Sequence, residues 1–334
     1  MKIIVDCMSG DNAPEAIVKG AVAGAMAHDA DVLLVGDENI IKSIISKNGL
    51  SESRVSYYLT DAEPVNMDAD PGCVMKDKKD ASMPTALRLL AEGKGDAVVS
   101  AGNTGALFTG ATLIVRRIKG MRRAALGAIV PLGKPMLLVD AGANTDVFPE
   151  HLADFALMGH LFMEHVMGIK SPKVGLINNG TEEKKGTPLY VETHEKLKEL
   201  KINFIGNIEG RDVPAGVADI IVCDGFTGNI VLKMCEGFGS FIKTTLKDLF
   251  YQSLVTKIGG LFVKDSISKL KKKMDYSEYG GAPFLGISKP VIKAHGSSNA
   301  KSISYCILQA KNYATSGIIE EFESLAGNKE KYIK

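Results

Sequence analysis

Short runs of valine, isoleucine and leucine alternate along this chain with longer segments whose apolar residues recur at helical spacing. The runs cover residues 3–5, 32–35, 98–99, 137–139, 174–177 and 220–222. They are typical of parallel strands that are buried on both faces. Candidate helices at 14–28, 149–167 and 188–200 each carry proline in the first turn, where its missing N–H is tolerated. This alternation predicts a doubly wound α/β sheet.

Length and composition limit the class of protein. The 334 residues, 45% of them hydrophobic, contain no tandem repeat or linker-like tract, which predicts one domain over residues 1–334. A net charge of +1 argues against a dedicated nucleic-acid binder. Five cysteines without a C-x-x-C pair are typical of a reducing compartment. Asp6 interrupts the only candidate signal peptide and no apolar run is long enough to span a membrane, so we expect a cytoplasmic protein.

Residues 241–276 break the alternation of strands and helices. Apolar residues keep helical spacing on both sides of Gly259-Gly260, which predicts a helical hairpin interrupted at these glycines. Eight lysines and three aspartates make residues 241–275 locally basic. The hairpin is either a solvated cap at the edge of the sheet or a membrane-surface contact.

Six of the strand ends are followed by loops rich in glycine and short polar residues. The loops are residues 6–12, 100–106, 140–146, 178–183, 224–229 and 295–299. Because the carboxyl ends of parallel strands share one edge of a sheet, we expect these loops to surround one cleft. Glycine allows close approach of a ligand to the backbone, and several loops open onto helices whose first amides attract anions. Glycine and asparagine also occur in ordinary turns, but six such loops together predict an oxyanion site.

Several common chemistries have no motif in this chain. Neither G-x-x-x-x-G-K-[ST] nor G-x-G-x-x-G is present, which disfavours nucleotide and nicotinamide binding. His160 and His165 do not match a zinc-protease motif, and we expect no metal. Cys7 and Cys223 stand at strand ends, where buried thiols more often pack than react. Without an evident nucleophile, bound phosphate itself is the candidate attacking group.

Ordered motifs along almost the whole chain resemble those of the PlsX family, the acyl-carrier-protein:phosphate acyltransferases of bacterial phospholipid synthesis. The motifs are V-D-C-M-S-G-D-N-A-P, V-S-A-G-N-T-G-A-L, D-A-G-A-N with P-E-H-L-A, L-I-N-N-G-T-E-E-K-K-G, F-I-G-N-I-E-G-R-D, V-C-D-G-F-T-G-N-I-V-L-K, Y-G-G-A-P-F-L-G and A-H-G-S-S. One motif departs from the family, because residues 6–11 read D-C-M-S-G-D where the family usually has D-A-M-G-G-D. Cys7 thus replaces an alanine, which excludes it as the nucleophile, and Ser9 replaces a glycine.

The resemblance implies transfer of a long acyl chain from the thioester of acyl carrier protein to inorganic phosphate, without a cofactor. It also implies a three-layer α/β/α fold like that of isocitrate and isopropylmalate dehydrogenases. A homodimer, loose association with the inner face of an anionic membrane, and delivery of acyl phosphate to a glycerol-3-phosphate acyltransferase are further expectations. The bound phosphate would attack the thioester carbonyl, and the protein would stabilise the oxyanion and the departing thiolate.

A cation beside the thioester would serve that chemistry. Lys184 and Lys185 follow a strand end and precede a glycine, and the family pattern also has lysine directly before this glycine. Two solvated loop lysines are the competing interpretation. His295 is a candidate acid or oxyanion donor. The candidate substrate- and phosphate-binding residues are Asp6, Gly10, Asp11, Ser100, Gly102, Asn103, Thr104, Gly105, Asn144, Asn179, Gly180, Asp224, Gly225, Thr227 and Asn229.

Two surface segments are candidates for macromolecular contacts. The sequence R-R-I-K-G-M-R-R places five cations in eight positions, which suits an acidic carrier protein but also an ordinary solvated surface. These cations are Arg116, Arg117, Lys119, Arg122 and Arg123. At the hairpin tip, the candidate membrane contacts are Ile258, Leu261, Phe262 and Val263, and the alternative is that they pack in a dimer interface.

Two rival functions remain at this stage. A NAD-dependent decarboxylating dehydrogenase would share the implied fold, although its arginine clamp and metal-binding aspartates are not evident as a cluster. A non-catalytic scaffold that binds lipid or carrier protein is the second rival. Nicotinamide binding would favour the first, and phosphate binding without thioester cleavage would favour the second.

Overall fold

The computed structural model describes residues 1–132, 134–267 and 279–334, and its described strands form one mixed sheet. The strands are β1 (Lys2–Asp6), β2 (Asp31–Gly36), β3 (Val55–Leu59), β4 (Ala97–Ser100), β5 (Ala125–Leu132), β6 (Lys134–Val139), β7 (Lys173–Asn178), β8 (Asn203–Glu209), β9 (Ile220–Val222), β10 (Ala282–Leu285) and β11 (Val291–Lys293). Their order across the sheet is β3-β2-β1-β4-β11-β10-β5-β6-β9-β7-β8. All six apolar runs of the sequence analysis lie in these strands.

The direction of the strands reverses in the middle of the sheet. Strands β1 to β4 and β11 are parallel to one another, and so are β6 to β9. Between these halves, β11–β10, β10–β5 and β5–β6 pair antiparallel. Three successive reversals make the two parallel halves run in opposite directions. The fold is therefore α/β, but with a mixed sheet in place of the predicted parallel one.

Helices cover both faces of the sheet. They are α1 (Glu15–Ala27), α2 (Glu38–Lys47), α3 (Ser82–Ala91), α4 (Thr104–Gly110), α5 (Pro149–His165), α6 (Pro188–Glu199), α7 (Asp212–Ala215), α8 (Gly225–Tyr251), α9 (Leu254–Phe262), α10 (Ala300–Thr315) and α11 (Ile318–Gly327). A π-helical segment, Ala111–Arg116, continues α4, and 3-10 turns cover Pro71–Met75 and Lys329–Tyr332. The helices predicted at 14–28, 149–167 and 188–200 correspond to α1, α5 and α6.

Alternate residues of the strands feed two hydrophobic cores. Ile3 packs in one core with side chains from α1, α5 and α10, whereas Ile4 packs in the other with side chains from α3 and α4. This is the period of two that a pleated strand imposes. Both cores are continuous across the sheet, so the sheet positions the loops that follow its strands.

The predicted break at Gly259-Gly260 is wrong. Helix α9 continues through both glycines, and the chain leaves helical structure at Gln252 and Ser253 instead. Ser253 caps α9, because its Oγ accepts from Thr256 N at 3.2 Å while its own N donates to Thr256 Oγ1 at 2.9 Å. Residues 268–276 of the predicted hairpin lie outside the described residues, as does the side chain of Leu261. Within the described part, none of the helices is long and apolar enough to cross a membrane.

Candidate active site

Three of the six predicted loops meet at the ends of β1, β4 and β11. Asp11 N donates to Gly296 O at 2.9 Å, and Asn12 Nδ2 donates to Ser297 O at 3.0 Å. Gly10 has φ +116°, and a Cβ there would lie 2.9 Å from Ala101 Cβ. Only glycine fits that position without a shift. We call loops 6–12, 100–106 and 295–299 the first loop group.

The other three loops, 140–146, 178–183 and 224–229, follow β6, β7 and β9 and form the second loop group. Gly225 N donates to Asn144 O at 2.7 Å, which joins two of them. The third leads into α6, where the Tyr190 hydroxyl donates to Asp224 Oδ2 at 2.5 Å. Because the halves of the sheet run in opposite directions, the expectation of six loops along one edge is wrong.

Helix α8 connects the two loop groups. It begins beside Asp224, and Glu236 Oε1 farther along it lies 3.8 Å from His295 Nε2. At a rise of about 1.5 Å per residue, Asp224 and Glu236 are about 18 Å apart. A phosphate ion therefore cannot contact both places. The predicted binding residues do not form one phosphate cradle, although an extended acyl substrate is long enough to reach from one group toward the other.

Asp6 holds the first loop group together from within. It is fully buried, and its carboxylate accepts from the hydroxyls of Ser82 and Ser100, each at 2.6 Å. The Ser100 hydroxyl in turn accepts from Gly102 N at 3.2 Å. Asp6 and Ser100, both predicted to bind phosphate, are thus engaged in fixing the backbone of the loop. Ser82 had no motif that would have revealed this role.

Asn103 is the N-cap of α4. Its Oδ1 accepts from Ala106 N at 2.8 Å, and its Nδ2 donates to Met67 O and Ala69 O at 2.7 and 3.2 Å. Both amide hydrogens are therefore used within the protein, and the expected donation from this side chain to phosphate is not what the structure shows. Asn103 instead caps the helix, a position for which asparagine is among the preferred residues.

Ser9, which replaces a glycine of the family motif, places an unsatisfied hydroxyl in the interior of the first loop group. The residue is 1% exposed and its Oγ has no hydrogen-bond partner among the described residues. Gly102 faces it so closely that a Cβ there would lie 2.8 Å from Ser9 Cβ. A buried hydroxyl without a partner loses its hydrogen bonds to water on folding.

Ser9→Ala is therefore expected to raise the free energy of unfolding by about 1 kcal/mol, because the variant removes an unsatisfied buried group. Urea denaturation of the purified variants measures this. Ser82→Ala is the matched control, since it removes a hydroxyl that does bond to Asp6, and it should lower stability. A loss of stability in both variants would show that the Ser9 hydroxyl has a partner in solution.

Lys293 is a buried cation of the first loop group that the sequence analysis missed. It is 7% exposed, and its ammonium donates to Ala294 O and, at 3.2 Å, to Ala101 O. Burial lowers the pKa of Lys293 to about 8, opposed by the nearby charges of Asp11 and Asp6. It ties the end of β11 to the loop after β4. A lysine that ends a short apolar strand directly before A-H-G-S-S was the available signal.

His295 lies where the first loop group meets α8. Its Nδ1 is 2.8 Å from Ser297 Oγ, and its Nε2 faces Glu236. Burial, helped by the charges of Lys233 and Lys293, lowers the pKa of His295 although Glu236 opposes this. Its imidazole is therefore predominantly neutral near pH 7, with one nitrogen able to accept a proton and the other able to donate one.

Asp224 is the N-cap of α8 in the second loop group. Its Oδ1 accepts from Thr227 N at 2.9 Å, and its Oδ2 accepts from Thr227 Oγ1 at 2.7 Å as well as from Tyr190. Burial alone would raise the pKa of Asp224, but these hydrogen bonds outweigh it and lower the pKa. The tight start of α8 also requires Gly228, where a Cβ would lie 1.9 Å from Asp140 O. Asn229, another predicted ligand, remains exposed.

Asp140 and Asn144 shape the neighbouring loop. Asp140 Oδ2 accepts from Asn144 N at 2.6 Å and from Asn144 Nδ2 at 2.8 Å. Asn144 Nδ2 also donates to Ala124 O at 2.8 Å. Burial raises the pKa of Asp140, and its hydrogen bonds oppose the rise. The side chain of Asn144 is thus used by the scaffold, so a ligand would meet its loop mainly through backbone groups.

Lys184 and Lys185 are exposed on the loop between β7 and α6. Lys185 Nζ lies 3.9 Å from Glu182 Oε1, whereas Lys184 has no ion pair among the described residues. The loop itself is ordered by Asn178, whose Nδ2 donates to Lys185 O at 3.0 Å, and by Asn207, whose Nδ2 donates to Glu182 O at 2.8 Å. The loop holds both lysines on the surface of the second loop group. Of the predicted ligands beside them, Asn179 donates its N–H to Asn178 Oδ1 and Gly180 is buried.

The two strand-end cysteines are poor nucleophiles. Cys7 and Cys223 are fully buried, and burial raises the thiol pKa of each. Because only the thiolate attacks, a thiol that stays protonated is inert. Both cysteines pack as small hydrophobic residues.

One cluster has the donor atoms of a metal site. Glu183, His194 and Glu195 place one ligand atom each within 4.8 Å of one another. Lys198 Nζ, however, lies 3.3 Å from Glu183 Oε1 and 3.5 Å from Glu195 Oε2. The ammonium already supplies the positive charge that a cation would bring. His194 Nδ1 is in addition engaged with Asn207 Oδ1 at 2.9 Å.

The predicted contact surfaces are exposed. Arg116, Arg117 and Lys119 line one cavity, whereas Arg122 lies 4.0 Å from Asp154. Arg123 is exposed and outside the lining of that cavity. On α9, the exposed apolar side chains Val255, Ile258 and Phe262 follow one another at intervals of three and four residues, and Val263 is 39% exposed. They form a stripe along one face.

Comparison with known proteins decides the family. A family model described as fatty acid synthesis protein matches residues 1–321. The chain belongs to this family. It is 45% identical to a phosphate acyltransferase of Caldanaerobacter subterraneus subsp. tengcongensis, over 97% of this chain and 96% of the relative. A phosphate acyltransferase of Clostridioides difficile is 43% identical, with 96% and 95% covered. The resemblance and the prediction of an acyltransferase are confirmed, and neither rival function is favoured.

Solved structures share the fold at low sequence identity. A phosphotransacetylase from Streptococcus pyogenes has a TM-score of 0.65 at 17% identity, with 94% of each chain covered. A 4-hydroxythreonine-4-phosphate dehydrogenase from Klebsiella pneumoniae has a TM-score of 0.56 at 14% identity, with 94% of this chain and 99% of that chain covered. These likenesses establish a mixed α/β fold with a large central sheet, and nothing about chemistry, because the same fold can carry different sites.

Proposed function

We propose that this chain transfers a long-chain fatty acyl group from the thioester of acyl carrier protein to inorganic phosphate. The products are acyl phosphate, which enters phospholipid synthesis, and the free thiol of the carrier. The observation that carries this proposal is the family match along residues 1–321 together with 45% identity to a phosphate acyltransferase. The buried cation Lys293, which lies in the glycine-rich first loop group, is consistent with an anionic substrate.

In the proposed reaction, a phosphate oxygen attacks the thioester carbonyl carbon and forms a tetrahedral oxyanion. The carbon–sulfur bond then breaks, its electron pair remains on sulfur, and the thiolate takes up a proton. If the thioester reacts at the second loop group, Lys184 or Lys185 stabilises the negative charge, and the lack of an ion pair at Lys184 among the described residues supports this role. If it reacts at the first loop group, the cation is Lys293. His295, largely neutral near pH 7, is proposed to donate to the oxyanion or to exchange the proton.

We place the phosphate at the first loop group. The backbone N–H groups of Thr104 and Gly105 lie at the start of a helical segment that continues to Arg116, and they precede Leu107 N, which donates to Asn103 O in the first turn. Lys293 adds a buried positive charge beneath the same loop, beside His295. The buried carboxylate of Asp6 is engaged inside the protein, so Asp6 shapes the loop and the proposed phosphate contacts come from backbone amides.

The activity is tested with palmitoyl carrier protein and phosphate. We expect release of the carrier thiol together with acyl phosphate, dependent on phosphate and independent of added nucleotide or metal. Free thiol is followed with a thiol reagent, and acyl phosphate is trapped as its hydroxamate. Unchanged turnover after removal of phosphate would refute the mechanism, and so would loss of turnover in a chelator. Binding of nicotinamide dinucleotide would instead favour the dehydrogenase alternative.

A homodimer is part of the proposal. Helix α8 carries large apolar side chains at intervals of three or four residues that are at least half exposed in the single chain: Phe226, Ile230, Met234, Phe238 and Phe241. A continuous exposed apolar stripe of this kind differs from single apolar residues scattered over a surface, and it is typical of a face that is covered in an interface. A second copy of this chain is the proposed cover, and light scattering of Met234→Glu with Phe238→Glu against the wild type tests it.

The finer architectural assignments complete the proposal. We assign the fold to the isocitrate and isopropylmalate dehydrogenase class, as one catalytic domain over residues 1–334 with residues 241–276 inserted as a helical hairpin. The apolar stripe of α9, together with Lys257 and Lys264, is proposed to hold an otherwise cytoplasmic protein on the inner face of an anionic membrane. There it would pass acyl phosphate to a glycerol-3-phosphate acyltransferase.

A further inference from the structure

A cavity of about 380 Å³ lies at the end of the π-helical segment Ala111–Arg116. Thr112, Leu113, Arg116, Arg117 and Lys119 are among the residues that line it. The Thr112 hydroxyl is buried and has no hydrogen-bond partner among the described residues. The cavity thus combines three cationic side chains with the exposed apolar side chain of Leu113.

The positive charges at this cavity are not neutralised by the protein. Across residues 1–132, 134–267 and 279–334, neither Arg116 nor Lys119 takes part in an ion pair. Arg117 donates to Arg122 O, a neutral acceptor that leaves its charge uncompensated. Guanidinium groups in such a setting suit phosphate oxygens, which they can bind through two parallel hydrogen bonds.

The backbone around the cavity is held in a fixed conformation. Arg116 has φ +78°, which lies in the left-handed region that residues other than glycine and asparagine rarely adopt. The carbonyl of Arg116 accepts from Ser288 N at 2.9 Å, and the carbonyl of Val115 accepts from Ser288 Oγ at 2.9 Å. Two residues later, Ile118 N donates to Gly286 O at 3.0 Å. The loop 286–288 therefore fixes the backbone from which the Arg116 side chain projects.

A continuous helical segment joins this cavity to the first loop group. It consists of α4 and the π-helical segment, Thr104 to Arg116, and at about 1.5 Å per residue it is about 18 Å long. Gly105, Thr109, Thr112 and Arg116 follow one another at intervals of four, three and four residues, so they lie along one face. Thr109 is partly exposed and Arg116 is exposed, whereas the Thr112 hydroxyl is buried and a Cβ at Gly105 would lie 2.9 Å from Pro71 Cγ. The segment therefore connects the cavity to the proposed phosphate site, with Thr109 accessible between them.

We propose that the cavity of Arg116, Arg117 and Lys119 binds the phosphodiester at the root of the carrier protein's phosphopantetheine arm. The arm then runs along this helical segment past Thr109 and brings the thioester to the first loop group. The arm is a flexible chain of length comparable to the helix, it is polar along its course, and it carries its anion at the end that joins the protein. This inference rests on the proposed carrier-protein substrate.

Three thioesters with the same medium-length acyl group separate the contributions: acyl carrier protein, acyl-4′-phosphopantetheine and acyl-pantetheine, which lacks the phosphate. The variant is Arg116→Asn with Lys119→Gln, because asparagine tolerates the left-handed backbone of residue 116. We expect kcat/KM to fall about tenfold to a hundredfold for the two substrates that carry the phosphate. For acyl-pantetheine it should change by less than about twofold. Lys94→Gln is the matched control, because Lys94 is an exposed lysine that lines a separate cavity with Lys2 and Tyr58.

Each other result overturns the inference. An equal loss with acyl-pantetheine would assign these residues to the structure of the loop, and a loss with the carrier protein alone would assign them to the protein surface of the carrier. Unchanged rates with all three would leave them as solvated charges.

Calorimetry separates this inference from the proposed function, because it needs no turnover. The wild type should bind holo carrier protein about tenfold more tightly than apo carrier protein, which lacks the arm, and the double variant should lose that difference. Equal affinity of the wild type for both forms would reject the cavity as the phosphodiester site even if acyl transfer occurs. If the wild type binds holo carrier protein more tightly than apo carrier protein but transfers no acyl group, the proposed function is refuted while the cavity remains the phosphodiester site.

Discussion

Lys185→Ala is expected to lower kcat for acyl transfer by about a hundredfold or more, with little change in the stability of the fold, if the thioester reacts at the second loop group. The expectation follows from the chemistry, because a cation that meets charge only in the transition state acts on kcat. The loop around Lys185 is held through backbone contacts from Asn178 and Asn207, so truncating the side chain leaves those contacts in place. Lys184→Ala is the companion variant. Initial rates of thiol release at saturating phosphate and carrier measure both.

The structure provides a sharp competitor for this role. Lys293 is buried within the first loop group, about 18 Å of helix away from the start of the second. If both Lys184→Ala and Lys185→Ala keep near-native rates while Lys293→Met is folded and inactive, the catalytic cation is Lys293. Its pKa near 8 would then give a further signature, since its charge is lost as pH rises through that value and phosphate should bind more weakly above it. Lys185 itself would then be a solvated loop residue.

The strands that were predicted from the sequence are those that consist almost entirely of apolar residues. The runs in β1, β2, β4, β6, β7 and β9 are buried on both faces, so almost every residue is apolar. Strands β5 and β10 escaped this criterion because Gly127, Pro131 and Pro283 interrupt their patterns. Yet these two strands reverse the direction of the sheet and divide the six loops into two groups. Local pattern thus gave the elements, while their pairing depended on contacts between distant parts of the chain.

The candidate site shows the same limit at the level of side chains. Asn103 and Asp224 were expected to meet substrate by residue type and place, and both proved to cap helices. The same short polar side chains serve both purposes, and only geometry shows which hydrogen bonds are already made. Lys293 was missed for the opposite reason. A lysine at the end of an apolar strand is normally predicted to be exposed, and only the folded structure shows that neighbouring loops bury it.

The second large effect concerns membrane attachment through α9. Val255, Ile258 and Phe262 are 79%, 58% and 87% exposed, and they share one face of the helix. Inserting three such side chains into the headgroup region gains several kcal/mol at roughly 25 cal/mol per Å². Lys257 and Lys264 each add about 1 kcal/mol on an anionic surface. Together these contributions suffice for reversible attachment, and they would place an unstable acyl phosphate beside a membrane-bound acceptor enzyme.

Ile258→Glu with Phe262→Glu should therefore abolish sedimentation with anionic vesicles, while dimer mass and thiol release remain those of the wild type. The matched control is Ile40→Glu with Ile205→Glu, which adds the same charge at two exposed isoleucines away from α9 and should sediment normally. A monomeric or inactive α9 variant would assign this face to the dimer interface instead. The apolar stripes of α8 and α9 are separated by the break at Ser253, so glutamate can be introduced into either stripe without changing the other. The dimer interface proposed for α8 and the membrane contact proposed for α9 can therefore be tested independently.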